Sequence, residues 1–141
     1  EEAFIPPKYK NWIGKTTFTY DYAVLRLVEA VTLEKYPSLS ETIPGAGDEL
    51  RVIGYPGDQK ERQDFSGYEL FHGNGAVLKL TNYGRELTYN VDTASGLSGG
   101  GILNKGGEIV AVHTRSAPGR VPGGSRLIDE KALSWIKSKM L

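Results

Sequence analysis

The chain has 141 residues, 39% of them apolar and 24% charged, a balance that suits one soluble globular domain able to bury a core. Lys plus Arg equals Asp plus Glu at 17 each, so no basic surplus points to nucleic acid. No apolar run nears the roughly 20 residues of a membrane helix, and the lack of cysteine excludes disulfides and Cys-based zinc sites. The opening EEAFIPP has neither the basic nor the apolar part of a signal peptide, so any such peptide is expected to have been removed or never present. Eighteen glycines and eight tyrosines, with few long helical patterns, favour an all-β domain.

Residues 1–20, with Pro6, Pro7 and Trp12, predict an extended or looping lead-in. Tyr20 to Val31, YDYAVLRLVEAV, alternates with period two. Ala23, Leu25 and Leu27 point one way, Val24 and Arg26 the other, as a strand requires. Pro37, Pro44, Gly45 and Gly47 mark a connector from Lys35 to Glu49. ELRVIGYPG predicts a strand ending in a Pro-Gly turn. GYELFHGN and GAVLKLTN predict two strands broken by Gly73, Asn74 and Gly75, and ELTYNV predicts another. GGILN and EIVAVHT form a hairpin pattern with Lys105, Gly106 and Gly107 at the turn. The last stretch, DEKALSWIKSKML, sets Ala132, Leu133, Ile136 and Met140 at helical spacing. Asp129 can cap that helix, and Lys137 and Lys139 suit the negative end of its dipole. There is no internal repeat and no low-complexity segment.

Chemistry concentrates in DTASGLSGGG, Asp92 to Gly101, where Ser98 stands among glycines. GLSGG fits the G-x-S-x-G pattern of an α/β-hydrolase elbow, but that elbow leads from a strand into a helix. Here three glycines and a hairpin follow the serine, a poor first helical turn. A flexible Gly-Ser loop is the plain alternative. The other home of a glycine-flanked serine is the loop of a chymotrypsin-type double barrel, with a strand following. There the backbone N–H groups of the serine and of the residue two before it form an oxyanion hole, a role open to Gly96 and Ser98. Asp21, just before an alternating strand, reads either as a strand-end turn residue or as a triad carboxylate.

The order IPPKY, DYAVLRL, VIGYPGD, YNVDTASGLSGGG, EIVAVHT resembles the glutamyl endopeptidase branch of the chymotrypsin-like serine proteases across nearly the whole chain. The resemblance implies an all-β, chymotrypsin-type double β-barrel, with the second barrel complete, the first only partly present, and a C-terminal α-helix. Residues 1–40 would be the end of the first barrel and the inter-barrel connector, and residues 41–141 the second barrel with its helix. It further implies a serine endopeptidase with Ser98 as nucleophile, Asp21 orienting the triad histidine, and the N–H groups of Gly96 and Ser98 holding the oxyanion. No metal or other cofactor is implied, and the setting is expected to be secreted or extracytoplasmic. Leu97 departs from the polar residue usual in the family and Gly101 from a common proline, and both bear on the rigidity of the loop.

A serine needs a base, yet the two histidines, His72 and His113, both follow Asp21, and neither matches the family's triad position. The base is therefore expected from an N-terminal segment or companion chain completing the first barrel, or from residues preceding this sequence. A catalytically inactive, protease-like binding or assembly module is the other reading. In the resemblance His113 forms the wall of the specificity pocket, with Thr93 and Ser116 as its hydroxyls; the plain alternative is a satisfied strand-end histidine. His72 is expected to be structural. Asp92, six residues before Ser98, stands where a carboxylate selects basic side chains. With His113 alongside, acidic substrate residues are the favoured expectation, the carboxylate keeping the imidazole cationic.

Overall fold

The alternation of ELRVIG produces strand β3, Glu49–Gly54, whose Leu50, Val52 and Gly54 are buried while Glu49 and Arg51 are exposed. This strand is the seam of a closed six-stranded barrel. The other strands are β4 (Phe71–Thr81), β5 (Glu86–Tyr89), β6 (Gly101–Asn104), β7 (Ile109–Arg115) and β8 (Gly123–Leu127). Around the barrel the order is β3-β4-β5-β8-β7-β6, with β6 pairing back onto β3 and every pairing antiparallel. Closure leaves this sheet without a free edge. The computed structural model describes residues 2–10, 20–56, 69–81, 83–93, 95–115 and 123–140. Trp12, Gly57, Asp58, the start of GYELFHGN and Ser116 lie outside the described residues.

The barrel core is built from inward side chains at period two: Leu50 and Val52 on β3, Leu87 and Tyr89 on β5, Ile102 on β6 and Val110 on β7. The break expected at Gly73–Gly75 does not occur, because β4 runs through it as one 11-residue strand. A Cβ at Gly73 would lie 2.7 Å from Val91 Cγ1, and one at Gly75 would lie 2.6 Å from Asn90 Oδ1. These glycines let the chain after β5 close directly over β4, and they do not interrupt pairing. The β6–β7 hairpin turns at Lys105–Gly107 as the sequence predicts, with Gly107 at φ 80°.

Two short strands stand outside the barrel. The first, β1 (Glu2–Phe4), pairs antiparallel with β2 (Val24–Arg26), Ala3 facing Leu25. The strand expected over Tyr20–Val31 is thus only three residues long. Its apolar side chains are largely exposed, Val28 at 80% and Leu25 at 57%. The connector is stapled to the barrel: Ile109 N–H donates to the Ser38 carbonyl at 2.8 Å, and Ser40 N–H donates to the Ile109 carbonyl at 2.9 Å. The buried Ser40 hydroxyl and Asn104 Nδ2 both donate to Glu108 Oε2, at 3.1 and 2.9 Å.

The chain closes on α1 (Glu130–Lys137), capped by Asp129, whose Oδ1 accepts from Ala132 N–H at 2.8 Å. The helix reaches back to the N-terminal third. Trp135 meets Tyr22 edge to face at 5.4 Å, and Lys137 pairs with Glu41 at 2.7 Å. Gly75→Ala is expected to lower the urea-unfolding free energy by about 1–3 kcal/mol, the cost of overpacking. An unchanged midpoint would show that the contact with Asn90 and Val91 can relax.

Candidate active site

Ser98 is held by a continuation of the β6–β7 ladder into the loop that precedes β6. Gly99 N–H donates to the His113 carbonyl at 2.8 Å, and His113 N–H donates to the Gly100 carbonyl at 2.8 Å. Gly100 N–H closes a turn onto the Leu97 carbonyl at 2.9 Å. Gly96 and Gly99 sit at φ 96° and 90°, conformations that side chains oppose, so the glycines flanking the serine are required by the turn. Ser98 is exposed at its crest. Its Oγ donates to the Thr114 carbonyl across a long 3.4 Å. Thr114 falls at a register shift between His113 and Arg115, a bulge that re-aims the end of β7.

Among the described residues the N–H groups of Gly96 and Ser98 donate to no acceptor, and both residues are exposed. Two unspent donors on one glycine-bounded turn are what an oxyanion requires.

Asp21 comes from the other part of the chain. Tyr22 N–H donates to the Tyr20 carbonyl at 2.9 Å, a three-residue turn centred on Asp21 at the foot of β2. Asp21 and Ser98 both line one cleft of about 420 Å³, walled also by Tyr9, Leu25, Val112 and Thr114. Asp21 is half-buried, and burial pushes its carboxyl above the ordinary value. Among the described residues nothing donates to that carboxylate. A larger groove of about 540 Å³, lined by Glu49, Arg51, Asn74 and Lys105, holds none of the candidate catalytic or substrate-binding residues.

His113 also belongs to the cleft wall, but its imidazole is fully buried and its Nδ1 meets the Tyr89 hydroxyl. Burial lowers its pKa from 6.5 to about 4. The expected cationic imidazole is therefore corrected to a neutral one: desolvation governs His113, and Asp92 is an exposed loop residue. Thr93 is half-buried on the same loop; neither it nor Asp92 lines the cleft. Ser116 lies outside the described residues. His72 is exposed on β4 opposite Ile53 and away from the cleft lining. Sequence reasoning missed Tyr89 and Thr114. The signal for Tyr89 was the alternation of ELTYNV, which turns Leu87 and Tyr89 inward together. Among the described residues no cluster of three or more His, Asp or Glu could hold a metal ion, and no helix is long and apolar enough to cross a membrane.

A family model, the trypsin-like peptidase domain, matches residues 7–112. Exfoliative toxin A of Staphylococcus aureus is 38% identical over 68 residues, 48% of this chain and 21% of the toxin. A Glu endopeptidase solved in complex with MPD superposes with a TM-score of 0.84 at 23% identity, covering 99% of this chain and 62% of that one. Neuropsin, a serine protease of mouse brain, gives 0.80 at 18%, covering 100% and 70%. The chain thus spans less than two thirds of both the toxin and the Glu endopeptidase. At these identities the structural likenesses carry the fold, a chymotrypsin-type architecture with an incomplete first barrel.

His113 contributes a pH dependence with a definite sign. Its folded pKa lies below its unfolded value, so the unfolded chain binds the extra proton between about pH 6.5 and 4. The associated stability is complete above pH 6.5 and is lost as pH falls toward 4. Imidazole NMR resonances followed from pH 8 downward should show His113 still neutral at pH 5. A midpoint near 6.5 would contradict the burial account.

Proposed function

The chain belongs to the trypsin-like peptidase domain family, and on that premise we propose that it is the greater part of a serine endopeptidase cutting peptide bonds with a Ser-His-Asp triad. The observation that carries the reading is the half-buried Asp21 carboxylate sharing one cleft with the exposed Ser98 hydroxyl, without a donor among the described residues. An imidazole between them would satisfy both: its Nδ1–H donates to Asp21, and its Nε2 takes the Ser98 proton as Oγ attacks the scissile carbonyl. The oxygen of the tetrahedral intermediate is received by the N–H groups of Gly96 and Ser98. The protonated imidazole then hands its proton to the leaving amine, and water repeats the sequence to release the acyl group.

The base is supplied by a segment or chain outside this sequence, which also completes the first barrel. His113 is engaged with Tyr89, and His72 is off the cleft. The exposed apolar side chains of Leu25, Leu27, Val28, Val31 and Leu33 support such a covering piece, since an apolar surface of this extent calls for one. Residues 1–40 belong with that first barrel and residues 41–141 with the second.

Cleavage after acidic residues is the favoured specificity, with Thr93, His113 and Ser116 as the pocket. The likeness to a Glu endopeptidase supports it. Being neutral, His113 would serve as an N–H donor at physiological pH. Asp92 is the residue that would favour basic side chains instead. The likeness to a toxin supports a secreted or extracytoplasmic setting. The second reading, an inactive binding or assembly module, draws on Leu97 and on the fact that neither His72 nor His113 is placed as the base.

A fluorophosphonate probe offered to the complete protein separates the two readings. Labelling at Ser98, abolished in Ser98→Ala, is the expected result; a folded protein that takes no label is the inactive module. In the labelled protein, Asp21→Asn should lower kcat by roughly 10⁴ through loss of the correct tautomer. Peptides differing only in the residue before the cleaved bond should rank Glu above Lys; the reverse order would assign the pocket to Asp92.

A further inference from the structure

We propose that Leu97 is a positioning residue of this site: seated against Gly54, its buried side chain presets the turn that aims the Gly96 and Ser98 N–H groups. The inference rests on the peptidase reading above and concerns the same loop.

The observation is a contrast along three residues. Gly96 and Ser98 are exposed, whereas Leu97 between them is 1% exposed. An apolar side chain thus points inward at the point where the loop turns outward. Its seat lies at the inward-facing end of β3. A Cβ at Gly54 would stand 2.9 Å from Leu97 Cδ2 and 3.5 Å from Gly100 Cα. Gly54 leaves the room that Leu97 fills. Gly100 is equally tight, since a Cβ there would meet the Ile53 carbonyl oxygen at 2.3 Å and that of Leu97 at 2.8 Å.

The loop is therefore gripped from two strands. Hydrogen bonds from Gly99 and to Gly100 fix it to β7, and the Leu97 side chain fixes it to β3. The hydrogen bonds alone constrain residues 99 and 100, which follow the serine. Leu97 is the tether placed between the two oxyanion donors. Gly96, at φ 96°, is joined directly to that tether, so the seat of Leu97 bears on the direction of its N–H. At 1% exposure the seat is one that an apolar side chain fills without the desolvation cost of a polar one. An apolar tether itself carries no titrating group.

The test compares Leu97→Ala and Leu97→Met in the complete protein. Leu97→Ala should lower kcat by about 10- to 100-fold, the scale of a displaced oxyanion donor. KM should change by less than about two-fold, because ground-state binding is untouched. Leu97→Met should restore most of the rate. Hydrogen exchange of the Gly99 and Gly100 amides should quicken in Leu97→Ala while the barrel amides keep their protection. Gly54→Ala, which crowds Leu97 from the other side, should move both readouts in the same direction and serves if Leu97→Ala does not fold. Wild-type kcat and wild-type loop exchange in the folded variants would overturn the proposal. If the unmodified protein neither cleaves nor labels, the peptidase reading fails; the exchange arm still decides whether Leu97 holds the loop.

Discussion

The site depends on one constraint: the loop of Ser98 is an extension of the β6–β7 ladder. The bonds between residues 99–100 and His113 carry the order of a closed barrel into a segment that is otherwise mostly glycine. Glycine supplies the dihedral freedom for a sharp turn and none of the rigidity. Rigidity is borrowed from the strands, so the serine loop is tied to the barrel beneath it. The bulge at Thr114 then brings a carbonyl within reach of the serine hydroxyl without ending the ladder.

Asp21 is held by different means. Its turn lies outside the barrel, on a segment with one short strand partner and much exposed apolar surface. It is braced from behind by the C-terminal helix through Tyr22 and Trp135, and the connector that follows is stapled to β7 at Ile109. The last element of the chain thus helps to place a carboxylate near its start. That wiring explains why a helix remote from the cleft bears on its geometry. The two groups come from halves of unequal burial: among the described residues the serine half lies on a closed barrel, and the aspartate half exposes apolar side chains.

Much of this was legible in residues. The period-two run at 49–54, the hairpin of β6 and β7 with its Lys-Gly-Gly turn, and the Asp129 cap all express local rules that the fold obeys. The serine loop was legible as a sharp turn because its dihedrals demand glycine at 96 and 99. Other features were not, for identifiable reasons. Gly73 and Gly75 read as breaks because the demand on them comes from Val91 and Asn90, across a strand pair. The strand β8, GGSRL, has no alternation to announce it; Gly124 stays bare because Arg115 lies over it, Nε 2.5 Å from where a Cβ would be. The run at Tyr20–Val31 carries a strand pattern over twelve residues but forms three, since pairing needs a neighbour that only β1 provides among the described residues. The charge state of His113 is set by burial, which no spacing reveals.

The most direct measurement is a crystal structure of the protein with every segment that belongs to its first barrel. The account predicts an imidazole from outside residues 1–141 lying between Asp21 and Ser98. One ring nitrogen should be within about 2.6–3.2 Å of the carboxylate and the other equally close to the hydroxyl oxygen. A structure in which the first barrel is whole and those two groups share no imidazole would contradict it.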